Sequence, residues 1–102
     1  MKNDLTHEFF LGFIKIHILH HAAEQPVYGL WLIEELSRHG YRLSPGTLYP
    51  LLHSLEKEKY LECQEKVIEG KIRKYYRTTA KGRKALNQAK DRIKELIEEV
   101  VS

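Results

Sequence analysis

Cysteine, tryptophan and proline are scarce in this 102-residue sequence, at one, one and three copies, and each scarcity removes a class of protein. Cys63 alone makes neither an internal disulfide nor a thiolate-rich zinc site, so a reduced thiol is expected. Its place on the same alternation as Leu61 predicts a buried structural sulfur rather than a redox sensor. Long apolar runs are missing too. The longest stretch, Phe9 to Leu19, is broken by Lys15 and His17 and falls short of the roughly 20 residues that cross a bilayer, so no membrane partner is expected. Met1-Lys2-Asn3-Asp4 lacks the basic-then-apolar pattern of an export signal, which predicts a cytoplasmic protein. A nucleophile with its base, paired carboxylates and a phosphate-cradling glycine loop are all absent, so neither catalysis nor a cofactor is expected.

What remains suits one soluble domain. Apolar residues make up 42% and charged residues 30%, enough to build a core and too apolar for disorder. The net charge is only +3, but between Lys71 and Lys84 seven basic residues (Lys71, Arg73, Lys74, Arg77, Lys81, Arg83, Lys84) occur without an acidic one. Such a stripe can neutralise phosphates and release their counterions; alone, it is equally a solvated face.

Periodicity supplies the elements. Phe9, Phe10, Phe13, Ile14, Ile18 and Leu19 recur at helical steps from Leu5 to Ala23, on more than one face, which implies cover by a second copy. Gln25-Pro26 breaks the pattern, and a second helix runs from Val27 to His39 with Tyr28, Trp31, Leu32 and Leu36 inward and Gly40 closing it. Ser44 and Pro45 suit the N-cap and first position of a third helix. Leu48, Leu51, Leu52 and Leu55 form its buried stripe, while Thr47, Tyr49, His53, Ser54 and Lys57 face out with groups suited to base edges and phosphates. Pro50 should loosen its early turns. Past Tyr60 the period becomes two, predicting strands around Leu61–Val67 and Ile72–Thr78 joined at Glu69-Gly70. Thr79 caps a final helix reaching about Val101, along which Leu86, Ala89, Ile93, Leu96 and Val100 make a heptad seam that needs a partner. The fold expected is mainly α with a small β-hairpin: a winged helix-turn-helix over residues 1–78 and a C-terminal dimerisation helix over 79–102, as one unit.

The motifs Tyr28-Gly29, Ser44-Pro45-Gly46-Thr47-Leu48-Tyr49-Pro50-Leu51-Leu52, Leu55-Glu56 and Arg73-Lys74-Tyr75-Tyr76, with Thr79 and Gly82, together resemble the PadR family of bacterial transcriptional regulators, in its short form with a single last helix. The resemblance implies a homodimer on double-stranded DNA at a pseudo-palindromic operator, repressing until a small apolar or aromatic effector releases it. DNA contacts are accordingly assigned to Tyr28, Ser44, Thr47, Tyr49, His53, Lys57, Lys71, Arg73, Lys74 and Arg77. The dimer is assigned to Leu86, Ala89, Ile93, Leu96 and Val100, and an effector lining to Phe10, Phe13, Ile93 and Leu96. Tyr28 suits the core equally well, and of Tyr75 and Tyr76 one must pack inward. The sequence departs from the family at Lys59, often glycine, and at Thr78, usually leucine. It also lacks a tryptophan on the last helix, where some members sandwich aromatic drugs, so that pocket does not carry over.

Two other readings stand beside this one. The fold also serves as a protein-interaction module without an operator of its own. His17, His20 and His21 have spacings at which two imidazoles meet one metal ion, yet no acidic residue or cysteine follows at a matching interval, so surface or interface histidines are expected and no metal is assigned.

Overall fold

A computed structural model describes residues 4–101; the amino-terminal reading at Met1 to Asn3 lies outside it. The elements follow in order α1 (Leu5–Glu24), α2 (Gly29–Arg38), α3 (Pro45–Lys57), β1 (Leu61–Ile68), β2 (Lys71–Thr78) and α4 (Ala80–Leu96), with a wider final turn over Ile97–Val101. This is a helix-turn-helix followed by an antiparallel wing and a long helix, the predicted architecture. Among the described residues, no helix is long and apolar enough to cross a membrane.

The leucine stripe does what its spacing predicts. Leu48, Leu51, Leu52 and Leu55 are buried with Ile14, Ile18, Leu32, Leu36, Leu61 and Tyr76 in one core. The expected loosening at Pro50 is not seen, because α3 runs unbroken through it. The lost N–H would have bonded the carbonyl of Gly46, an exposed residue open to solvent.

Helix ends set the geometry of both turns. α2 closes with Gly40 at φ 87° and a bond from the Tyr41 N–H to the Leu36 carbonyl of 3.0 Å. α3 closes in the same way around Lys59 at φ 69°, with the Tyr60 N–H donating to the Leu55 carbonyl at 2.9 Å. Lysine therefore takes the left-handed position that glycine would fill at no steric cost; the turn keeps its shape and bears the strain.

The wing is tied down at its base. Backbone bonds between Val27 and Tyr76, of 2.9 and 2.7 Å, pin the α1–α2 linker to β2. Thr78, which the family pattern replaces with leucine, is buried and donates its hydroxyl to the Leu19 carbonyl at 2.8 Å. Its anchoring is polar but present. The Thr79 side chain accepts from the Gly82 N–H, capping α4, and a Cβ on Gly82 would collide with the Tyr60 carbonyl oxygen.

Candidate nucleic-acid interface

The outward face of α3 is set by its leucines. Ser44 occupies the N-cap position with extended backbone but makes no capping bond; its hydroxyl donates instead to Thr47 Oγ1 at 3.3 Å. The expected cap is thus a side-chain pair that holds Thr47 half-buried. Tyr49 lies where a Cβ on Gly29 would stand, so its ring rests on the first turn of α2 and remains 39% exposed. His53 and Lys57 follow at steps of four, exposed on the same side.

Opposite this helix stands the wing, with an open cleft of about 550 Å³ between them that touches Tyr28, Gly29, Tyr49, Lys71, Arg73 and Lys74. The Val27–Tyr76 pairing places Tyr28 beside β2. Its ring meets Tyr75 edge-on at 5.4 Å, and the Arg73 guanidinium sits 4.2 Å above it. Lys66 Nζ lies 5.1 Å from the Tyr75 ring. Two adjoining rings thus carry a cation at either end, each ring fixing one charge by cation–π attraction. A hydrogen bond to Tyr75 holds Arg73 above its ordinary pKa, so it is cationic at any working pH. Tyr28 is half-buried at this cleft and Tyr76 is the inward tyrosine. Burial pushes the Tyr76 phenol up to about 12 and raises the Cys63 thiol opposite it, leaving both protonated.

The basic stripe divides in two. Lys71, Lys74 and Arg77 are exposed on β2, but Lys81 donates to the Glu58 carbonyl and Arg83 to the Ala23 carbonyl, each at 2.8 Å. These two cations bind the carboxyl ends of α3 and α1, where free carbonyls and the helix dipole favour positive charge. Lys66 and Tyr75 were not among the expected contacts. The register around Glu69-Gly70, which sets Lys66 opposite Arg73 and Gln64 opposite Tyr75, is the signal that finds them. At the wing tip Val67 and Ile72 face each other, 70% and 67% exposed.

Of the seam, Leu86 is buried in the protomer's own core. Ala89 and Ile93 are half-buried, while Leu96 and Val100 are 47% and 67% exposed. Phe10 turns toward Tyr41, ring centroids 5.7 Å apart, and Phe13 pairs with Phe9 at 4.9 Å. Leu96 instead borders a shallow depression with Arg92, Glu95 and Glu99, formed by α4 and the final turn. His17 and His21 point toward α2 and stack near His39, whereas His20 pairs with Glu24 on the outside.

Residues 18–88 match the sequence pattern of the transcriptional regulator PadR-like family. The chain is 50% identical over 94 residues to transcriptional regulator Rv3488 of Mycobacterium tuberculosis, covering 92% of this chain and 88% of that one. Among solved structures it is similar to a PadR family transcriptional regulator from Eggerthella lenta, with TM-score 0.83, 32% identity and coverage of 91% of this chain and 82% of that one. It is likewise similar to a PadR-like transcription factor from Bacteroides fragilis, with TM-score 0.84, 30% identity and 94% of each chain covered.

Proposed function

This chain belongs to the PadR-like family of transcriptional regulators, and from that premise we propose that it is a homodimeric repressor of a pseudo-palindromic operator, released by a small apolar or aromatic effector. The observation that carries the reading is the run of contacts from Arg73 over Tyr28, through Tyr75, to Lys66, whose Tyr28 and Arg73 line one cleft with Tyr49. Fixed cations there track a phosphate backbone while α3 lies in the major groove. Tyr49, His53 and Lys57 then face base edges and phosphates. Two such helices serve successive grooves if the dimer sets them roughly 34 Å apart. The exposed Val67–Ile72 tip suits sugar edges in the flanking minor groove. An effector between α1 and α4 of the dimer, near Phe10, Phe13, Ile93 and Leu96, would release DNA by favouring the dimer whose heads are wrongly spaced.

Fluorescence anisotropy on the chain's own upstream DNA tests this. Neutralising about six phosphates per dimer predicts a log–log salt slope near −5. A flat slope would remove DNA as the partner and leave a protein-interaction module. Within the site, Arg73→Ala with Lys74→Ala should weaken binding to every sequence alike. His53→Ala or Thr47→Ala should change preference at one or two base pairs, by about 1–3 kcal/mol each. Uniform losses from both sets would refute this division of roles.

A further inference from the structure

The imidazoles that DNA binding leaves unused meet between α1 and α2. His17 and His21 stand one turn apart on α1, and Glu35 and His39 one turn apart at the end of α2. The His39 ring lies 5.6 Å from that of His17 and 6.4 Å from that of His21, both stacked. Donor atoms of His21, Glu35 and His39 all lie within 4.8 Å of one another. Glu35 is the least exposed carboxylate among the ion pairs, with a side chain 17% exposed. Its two oxygens reach Arg38 and His39 at 3.3 Å each. One atom is left over: the Nε2 of His21 is buried and has no hydrogen-bond partner.

We infer that this cluster is a site for one divalent transition-metal ion of the zinc, cobalt or nickel class, held by His21, Glu35 and His39 with solvent completing the coordination. Imidazole nitrogens with a single carboxylate are the donor set of such borderline ions, whereas calcium and magnesium require more oxygens. Bonds of about 2.0–2.2 Å put donors roughly 3.3 Å apart in a tetrahedron. The cluster must therefore close by about an ångström, a motion open to His39, whose side chain is 48% exposed at the helix end. The ion would give the orphaned nitrogen a partner. A second triad, His20, His21 and Glu24, also meets the distance test. It is the poorer site, since all three lie on one helix and His20 and Glu24 are 45% and 64% exposed.

The molecule carries its own reporter, for Trp31, the only tryptophan, meets His21 edge-on at 5.5 Å. Chelator-treated protein titrated with zinc or cobalt should bind one ion per chain with micromolar or tighter affinity, and nickel should quench Trp31. A hundredfold excess of zinc over Kd should raise Tm by about 10 °C. Glu35→Gln and His39→Gln, both near the surface, should each weaken zinc at least about thirtyfold while the metal-free proteins melt like the parent; His20→Gln should change affinity less than about threefold. Lowering pH from 7.5 to 5.5 should weaken binding about tenfold or more. Protons compete with the ion for its ligands, and the titratable and charged groups facing the site are His17, His20, His21, His39, Glu24, Glu35, Arg38 and the Tyr41 phenol. Absence of heat, quenching and Tm shift would overturn the site. Loss of binding in His20→Gln with retention in Glu35→Gln and His39→Gln would overturn its placement.

Discussion

Leu96→Glu with Val100→Glu is expected to yield a folded monomer whose affinity for a full operator falls about a hundredfold to a thousandfold. The two side chains are already 47% and 67% exposed in the protomer, so charging them costs the single chain little. In a dimer the same positions would bury carboxylates without partners, which is strongly unfavourable. Once one head is bound, the second acts at the effective concentration set by a rigid connection, and it is this advantage that monomerisation removes. Affinity for an isolated half-site should stay within about twofold, because the wing and α3 are untouched. Light scattering gives the oligomeric state and anisotropy the two affinities. A monomeric variant that still binds the full operator like the parent would disprove the dimeric reading. A variant that stays dimeric would move the interface toward the exposed Leu5, Phe9 and Phe13 on α1.

Local pattern was enough to place every element. Leu48, Leu51, Leu52 and Leu55 report a helix face because all four are buried in one core, and Glu69-Gly70 reports a tight turn because both residues take positive φ, 52° and 79°. The site was less open to such reading wherever a side chain answers a distant group. Lys81 and Arg83 look like phosphate ligands until α3 and α1 are seen to end at their tips. Thr78 looks like a weak anchor until the Leu19 carbonyl meets it. His21 has no ligating neighbour at helical spacing except on its own helix; Glu35 and His39 arrive only when α2 folds back on α1. Tyr75 and Tyr76 are distinguished by the Val27 pairing, which fixes which face of β2 turns inward.

That pairing also makes Tyr76 the residue on which wing and helices most depend. Its side chain is 1% exposed, its backbone is bonded to Val27 in both directions, and it stands across from Cys63 on β1. Tyr76→Ala should therefore cost about 3–5 kcal/mol, from lost transfer free energy plus a cavity that the pinned backbone cannot close. For a chain of this size that corresponds to a Tm lower by roughly 15–25 °C, measured at equal protein concentration because dimerisation shifts the midpoint. Tyr76→Phe isolates the hydroxyl and should cost about 1 kcal/mol. The distinction has a functional side. Tyr28, Arg73 and Tyr75 are held in place by the backbone on either side of Val27 and Tyr76, so a protein that keeps its wing keeps its cation–ring ladder. Below its melting point Tyr76→Phe should bind DNA like the parent, while Tyr76→Ala should lose affinity before its helices melt. Loss of DNA binding and of far-UV signal at the same temperature in Tyr76→Ala would mean instead that wing and helices unfold as one cooperative unit. A melting point within about 2 °C of the parent would show that the Val27–Tyr76 joint bears far less of the fold than its burial implies.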